Sequence, residues 1–94
     1  MMEKVSEVSG SGPVKVDGQV VGHCAYELKV YRDTSGRVIG QGRAMGDPSI
    51  LAKMHLGQRV ELARDDAKTF PVVTGDWQPG ERVIPVEAGP DVIH

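Results

Sequence analysis

The sequence predicts an all-β fold with one short helix, either a small six-stranded antiparallel barrel or an orthogonally packed sandwich. Two three-strand meanders are joined by a helix near residues 48–56. Three observations support this prediction. The chain has 94 residues, which suits one domain. Its 12 glycines and 6 prolines recur at short intervals and disfavour long helices. Apolar and polar residues alternate in several short runs, as they do in half-buried strands.

The clearest alternation in the chain lies at residues 20–32. Its apolar parity is made up of Val20, Cys24, Tyr26, Leu28 and Val30. This period of two predicts a strand with one buried and one wet face. Val21 and Tyr31 stand on the polar parity, and they predict a bulge or a partly covered second face.

Turn residues define the rest of the first meander. Asp17-Gly18 follows an alternating run at residues 14–16, and Asp-Gly between two such runs predicts a hairpin with a type I′ turn. Residues 33–37 form a polar turn cluster before a third strand at residues 38–44. The two glycines of that strand share a parity, which predicts sharp coiling or close cover by another backbone.

The helix over residues 48–56 follows from its boundary residues. Asp47 is the predicted N-cap, Pro48 takes the first helical position, and Gly57 ends the helix. Three strands are predicted after it, around Val60 and Leu62, at residues 70–74 and at residues 83–86, with a turn at Asp65-Asp66.

Closing these strands into a barrel would remove the exposed edges that an open sheet has to protect. Residues 1–8 and 88–94 lack the alternating pattern and are expected to be flexible ends. The sequence therefore predicts a single β domain at residues 9–87.

Composition excludes several functional classes. The net charge of −2 implies no general attraction to nucleic acid or to an anionic membrane. No apolar run approaches the length of a transmembrane helix or forms a secretory signal. With Cys24 as its one cysteine, the chain cannot form an intramolecular disulfide, and we expect a cytoplasmic setting.

The sequence predicts no metal, no cofactor and no enzymatic activity. His23, Cys24, His55 and His94 lack the paired spacing of a zinc site, and adjacent strand residues point to opposite faces. Cys24 has the parity of a buried, unreactive thiol. Asp65-Asp66 is flanked by cations, and we interpret it as a solvated turn.

Residues 32–37, Arg-Asp-Thr-Ser-Gly-Arg, depart from two known patterns. Retroviral-type aspartic proteases carry Asp-Thr-Gly or Asp-Ser-Gly after apolar residues, whereas here a serine precedes the glycine and Arg32 precedes Asp33. The cyclic-dinucleotide-binding PilZ pattern has a glycine where this chain has Val38. We interpret the segment as a polar turn.

The remaining prediction is a non-catalytic interaction or assembly module that forms a homodimer or binds another protein. Its predicted interface residues are Trp77, Tyr31, Val73 and Ile84. Trp77 is also expected to fold back as a lid over a small core. The alternative is a barrel that binds a ligand or single-stranded nucleic acid, and its residues are Lys29, Tyr31, Arg32, Arg37 and Arg43.

Overall fold

The computed structural model describes residues 3–64 and 68–89. In chain order the elements are β1 (Glu3–Val16), β2 (Gln19–Arg32), β3 (Val38–Met45), α1 (Pro48–Leu56), β4 (Val60–Ala63), β5 (Thr69–Thr74) and β6 (Val83–Ala88). The strands pair antiparallel in a closed barrel with the order β1-β2-β3-β6-β5-β4. The predicted fold class is confirmed, and the barrel form of it is the one adopted. The predicted turn at Asp65-Asp66 lies outside the described residues.

The β1–β2 hairpin has the predicted type I′ turn, since Asp17 and Gly18 have φ angles of 52° and 87°. A register shift follows it, because Val14 pairs with Gly22 while Lys15 pairs with Val20. Val21 is therefore the extra residue of a bulge. Val20 lies on the turn side of this bulge and is 58% exposed, which corrects its predicted place on the buried face.

Apolar side chains fill the interior of the barrel. The buried hydrophobic residues are Val14, Val16, Cys24, Tyr26, Leu28, Val30, Ala44, Leu51, Met54, Val60, Leu62, Phe70, Val72, Ile84, Val86 and Ala88. Tyr26 and Phe70 pack edge to face with centroids 5.4 Å apart. The Tyr26 hydroxyl donates a hydrogen bond of 2.8 Å to the Ala63 carbonyl, which connects β2 to the end of β4.

Helix α1 packs against the core through Leu51 and Met54, both 0% exposed. The carboxylate of Asp47 caps its first turn by accepting from the Ser49 N–H at 2.9 Å. After the helix, Asp17 Oδ1 accepts from the backbone N–H groups of Gln58 and Arg59. The hairpin turn thus fixes the path of the chain from α1 into β4.

The ends of the domain extend beyond the expected boundaries. Strand β1 begins at Glu3, which pairs with Arg32, so residues 3–8 belong to the barrel sheet. Backbone hydrogen bonds hold this segment, and these need no apolar pattern. Ala88 likewise belongs to β6, whereas residues 90–94 lie outside the described residues.

Candidate interaction surface

Three surfaces of the barrel stand out: a polar groove, an apolar face and a strand edge. A groove of about 630 Å³ crosses the outside of β1, β2 and β3. It is lined by Glu7, Val8, Ser9, Glu27, Leu28, Lys29, Gln41, Gly42 and Arg43. We call it the polar groove. Its floor depends on Gly42, because a Cβ atom there would lie 1.9 Å from the Glu27 carbonyl oxygen.

Charges of both signs neutralise one another around the polar groove. Arg43 Nη2 lies 3.2 Å from Glu27 Oε2, and Lys29 is opposite Glu7 in the β1–β2 ladder. Lys4 forms a hydrogen-bonded ion pair with Glu7, which lowers the pKa of the Glu7 carboxyl. A polyanion entering the groove would have to separate these pairs.

The other residues of the ligand-binding alternative are distributed around the β2–β3 turn. Arg37 Nε lies 3.3 Å from Asp33 Oδ2, whereas Tyr31 and Arg32 pair with Ile39 and Val38. The structure therefore brings only Lys29 and Arg43 of that set into the polar groove.

The turn at residues 33–37 has the predicted polar character. Asp33 Oδ1 accepts hydrogen bonds from the Ser35 hydroxyl, the Ser35 N–H and the Arg37 N–H. The Ser35 hydroxyl contributes most to a lowered pKa of Asp33, followed by the Arg37 N–H. Because the carboxylate is used to close the turn, the segment resembles a structural Asx turn rather than a shared-proton catalytic pair.

The apolar face lies on the outside of β2, β3 and β5 and consists of Tyr31, Ile39 and Val73, of which Ile39 and Val73 line one groove beside the end of β6. Tyr31 and Ile39 are cross-strand partners, and Val73 is 73% exposed. Two shallow grooves flank Val73. One includes Gly75, Pro85 and Val86, and the other includes Val38, Ile39 and Gly89. Two of the four predicted interface residues, Tyr31 and Val73, belong to this face.

Ile84 does not belong to it, because its side chain is 0% exposed. Its predicted place on the outer surface was wrong. Ile84 pairs with Ala44 on the inward parity of β6, and it is Val83, Pro85 and Glu87 that point outward. Pro85 is one of the outward-facing residues of β6. Because side chains alternate along a strand, its position could have predicted that the adjacent Ile84 faces the core.

Trp77 lies in the loop before β6 and packs against the core at half-buried exposure. Its ring is 5.8 Å from that of His55 on α1, and its Nε1 donates to the Glu81 carbonyl at 3.0 Å. This arrangement matches the predicted lid and leaves the indole nitrogen satisfied within its own loop.

The strand edge was not among the features predicted from the sequence. Strand β1 pairs with β2 from Glu3 to Val16, but with β4 only from Val14 to Val16. Along residues 6–12, no described residue pairs with the second edge of β1. We call this stretch the β1 edge. Unequal predicted strand lengths could have indicated it, but the domain was expected to begin only at residue 9.

Reactive side chains are not concentrated at any of these surfaces. Cys24 is buried, and burial raises the pKa of its thiol to about 11. Within residues 3–64 and 68–89, no three His, Cys, Asp or Glu side chains are placed to hold a metal ion. In the same ranges, no helix has the length and apolar character that a bilayer crossing requires.

Comparison of the chain with family models, with curated proteins and with solved structures gave no match.

Proposed function

We propose that this protein is a non-catalytic interaction module that associates with a second copy of itself. The observation that carries the proposal is the β1 edge, a stretch of strand with which none of residues 3–64 and 68–89 pairs on the side away from β2, in an otherwise closed barrel. Its backbone N–H and C=O groups form a template on which another strand can pair. The predicted interface residues Tyr31 and Val73 offer a second surface, the apolar face.

A non-catalytic role is supported by the interior of the barrel. The core is packed with apolar side chains, and the described residues bury no charged or polar side chain there. The thiol of Cys24 stays protonated at neutral pH because of its raised pKa, so it is a poor nucleophile. Chemistry on a substrate would have to take place on the outer surface.

Sedimentation equilibrium tests the proposal. We expect a concentration-dependent transition between the 10.1 kDa monomer and its dimer at micromolar concentrations. Ser9→Lys places a charge at the centre of the β1 edge, and we expect it to raise the dimer dissociation constant about tenfold or more. Val20→Lys is the control, because Val20 is exposed on the barrel away from the β1 edge.

Val73→Lys determines which surface is used. If Ser9→Lys abolishes association and Val73→Lys does not, the dimer forms through the β1 edge. The opposite result would assign the dimer to the apolar face and retain the function. A wild-type protein that remains monomeric up to high micromolar concentration would refute self-association.

A second candidate function is binding of a ligand or of single-stranded nucleic acid in the polar groove. It is favoured by one observation, the convergence of polar side chains from three strands around Lys29 and Arg43. Fluorescence anisotropy with a labelled oligonucleotide tests it. Binding at low salt that weakens steeply with ionic strength, and that Arg43→Gln reduces, would support this function. Absence of binding at low salt would rule out the nucleic acid.

A further inference from the structure

We propose that two copies of this chain pair antiparallel through their β1 edges, with the twofold axis at Ser9. The inference rests on the proposed self-association and specifies its partner, its register and its symmetry. In the resulting dimer, the sheets of the two barrels become continuous across β1 and its symmetry mate.

The direction of the backbone groups in β1 follows from the hairpin. The Asp17 N–H bonds to the Arg59 carbonyl on the β4 side at 2.8 Å. Backbone groups alternate between the two edges of a strand. The register shift between Val14 and Lys15 comes from the extra residue Val21 in β2, so β1 itself keeps this alternation from Ser6 to Val16. The N–H and C=O groups of Glu7, Ser9 and Ser11 therefore point away from β2, along the β1 edge.

Antiparallel pairing about a twofold axis allows only a few registers. An axis at Glu7 would oppose the Glu7 carboxylates of the two copies, which is unfavourable. An axis at Ser9 pairs Ser9 with its own copy and Glu7 with Ser11. The backbone N–H and C=O groups of Glu7, Ser9 and Ser11 in each copy then form hydrogen bonds with the other copy. No two like charges are opposite one another.

The two ends of the β1 edge fit this axis. A register shift makes Val5 a bulge, and Pro13 has no N–H to donate. Both residues end the regular ladder, and in the Ser9 register Val5 of one copy is opposite Pro13 of the other. The ladder thus stops at the same place in both copies.

Side chains on the inner face of the new strand pair are also compatible. Val8 of one copy is opposite Gly10 of the other, and Gly10 lies directly over the Tyr26 ring, where a Cβ atom would be 2.9 Å from the hydroxyl oxygen. Val8 is only partly buried in the monomer. Because Gly10 has no side chain, Val8 of the second copy meets no side chain at the residue directly opposite it.

Disulfide trapping tests the register. Directly opposed residues in a hydrogen-bonded antiparallel pair have Cα atoms about 5.5 Å apart, within disulfide range. Ser9→Cys should therefore form a disulfide-linked dimer under mild oxidation. Ser11→Cys is the matched control, because its copy lies four residues further along the ladder, about 13 Å away, and should not cross-link.

The outcomes separate this inference from the function on which it rests. Rapid cross-linking of Ser9→Cys, with little of Ser11→Cys, would support the register. If the wild type dimerises but the two variants cross-link equally slowly, or Ser11→Cys reacts faster, the register is wrong and self-association stands. A monomeric wild type would refute both. The buried Cys24 of the wild type serves as the background control.

Discussion

Ile84 provides the sharpest test of the inward and outward faces of the barrel. Its side chain is 0% exposed, whereas that of Val73 on the neighbouring strand is 73% exposed. Replacing a buried isoleucine by alanine removes its transfer free energy and leaves a cavity, at a cost of about 2–5 kcal/mol. For a domain whose total stability is of the order of 5–14 kcal/mol, Ile84→Ala would remove a large share. The expected fall in Tm is about 10–25 °C, from about 3 kcal/mol at roughly 4–8 °C per kcal/mol.

Urea unfolding followed by Trp77 fluorescence and by circular dichroism measures this difference. Val73→Ala is the control, with an expected change within about 0.5 kcal/mol, and Ile84→Val should be intermediate at about 0.5–1.5 kcal/mol. The measurements belong at protein concentrations where the chain is monomeric, because dimerisation adds apparent stability. Equal costs for Ile84→Ala and Val73→Ala would refute the assigned orientation of β6.

Three further predictions concern single side chains. Gly42→Ala should lower the free energy of unfolding by about 1–3 kcal/mol or more, because the new Cβ would lie 1.9 Å from the Glu27 carbonyl oxygen. Thermal melts measure this loss, and Gly89→Ala is the control because a Cβ at Gly89 would meet open space. Asp33→Asn should make the fall of Tm on acidification less steep. The Asp33 carboxyl has a lowered pKa in the folded state, so it stabilises the fold at pH values above its ordinary pKa of about 3.9. This contribution is lost as the pH falls through the folded-state pKa, and the asparagine variant has no such contribution to lose. Cys24 should resist a thiol reagent at pH values below its pKa of about 11 and react fully in denaturant; rapid labelling of the native protein would contradict its burial.

Local sequence signals predicted the elements of the fold. Asp17-Gly18 requires two positive φ angles, which the hairpin has, and Asp47-Pro48 with Gly57 predicted α1 at the residues where it lies. These signals depend on neighbouring residues alone. The number of strands and their short connections predicted a small barrel or an orthogonally packed sandwich, and the structure has the first of these, a closed barrel.

Orientation and pairing depend on distant residues, and these were harder to predict. A bulge at Val21 turned Val20 outward, because one extra residue exchanges the faces of a strand. Ile84 was predicted to lie on an outward face. Val83 and Ile84 are adjacent apolar residues, and only the pairing of Ile84 with Ala44 decides which of the two points inward. The polar groove likewise needs three strands in register, so single-strand patterns could suggest Lys29 and Arg43 without showing their carboxylate partners.

The β1 edge also explains why a closed barrel does not by itself remove every exposed strand edge. Closure requires pairing only where β1 meets the short β4, and β1 is much longer than that segment. An unprotected edge favours uncontrolled aggregation, but here the bulge at Val5, the missing N–H of Pro13 and the charge of Lys4 restrict the ladder. Such an edge can pair with one further strand over a few residues, and the pairing then ends. This restriction favours a discrete dimer over an open-ended assembly, because symmetric pairing uses up the β1 edge of both copies.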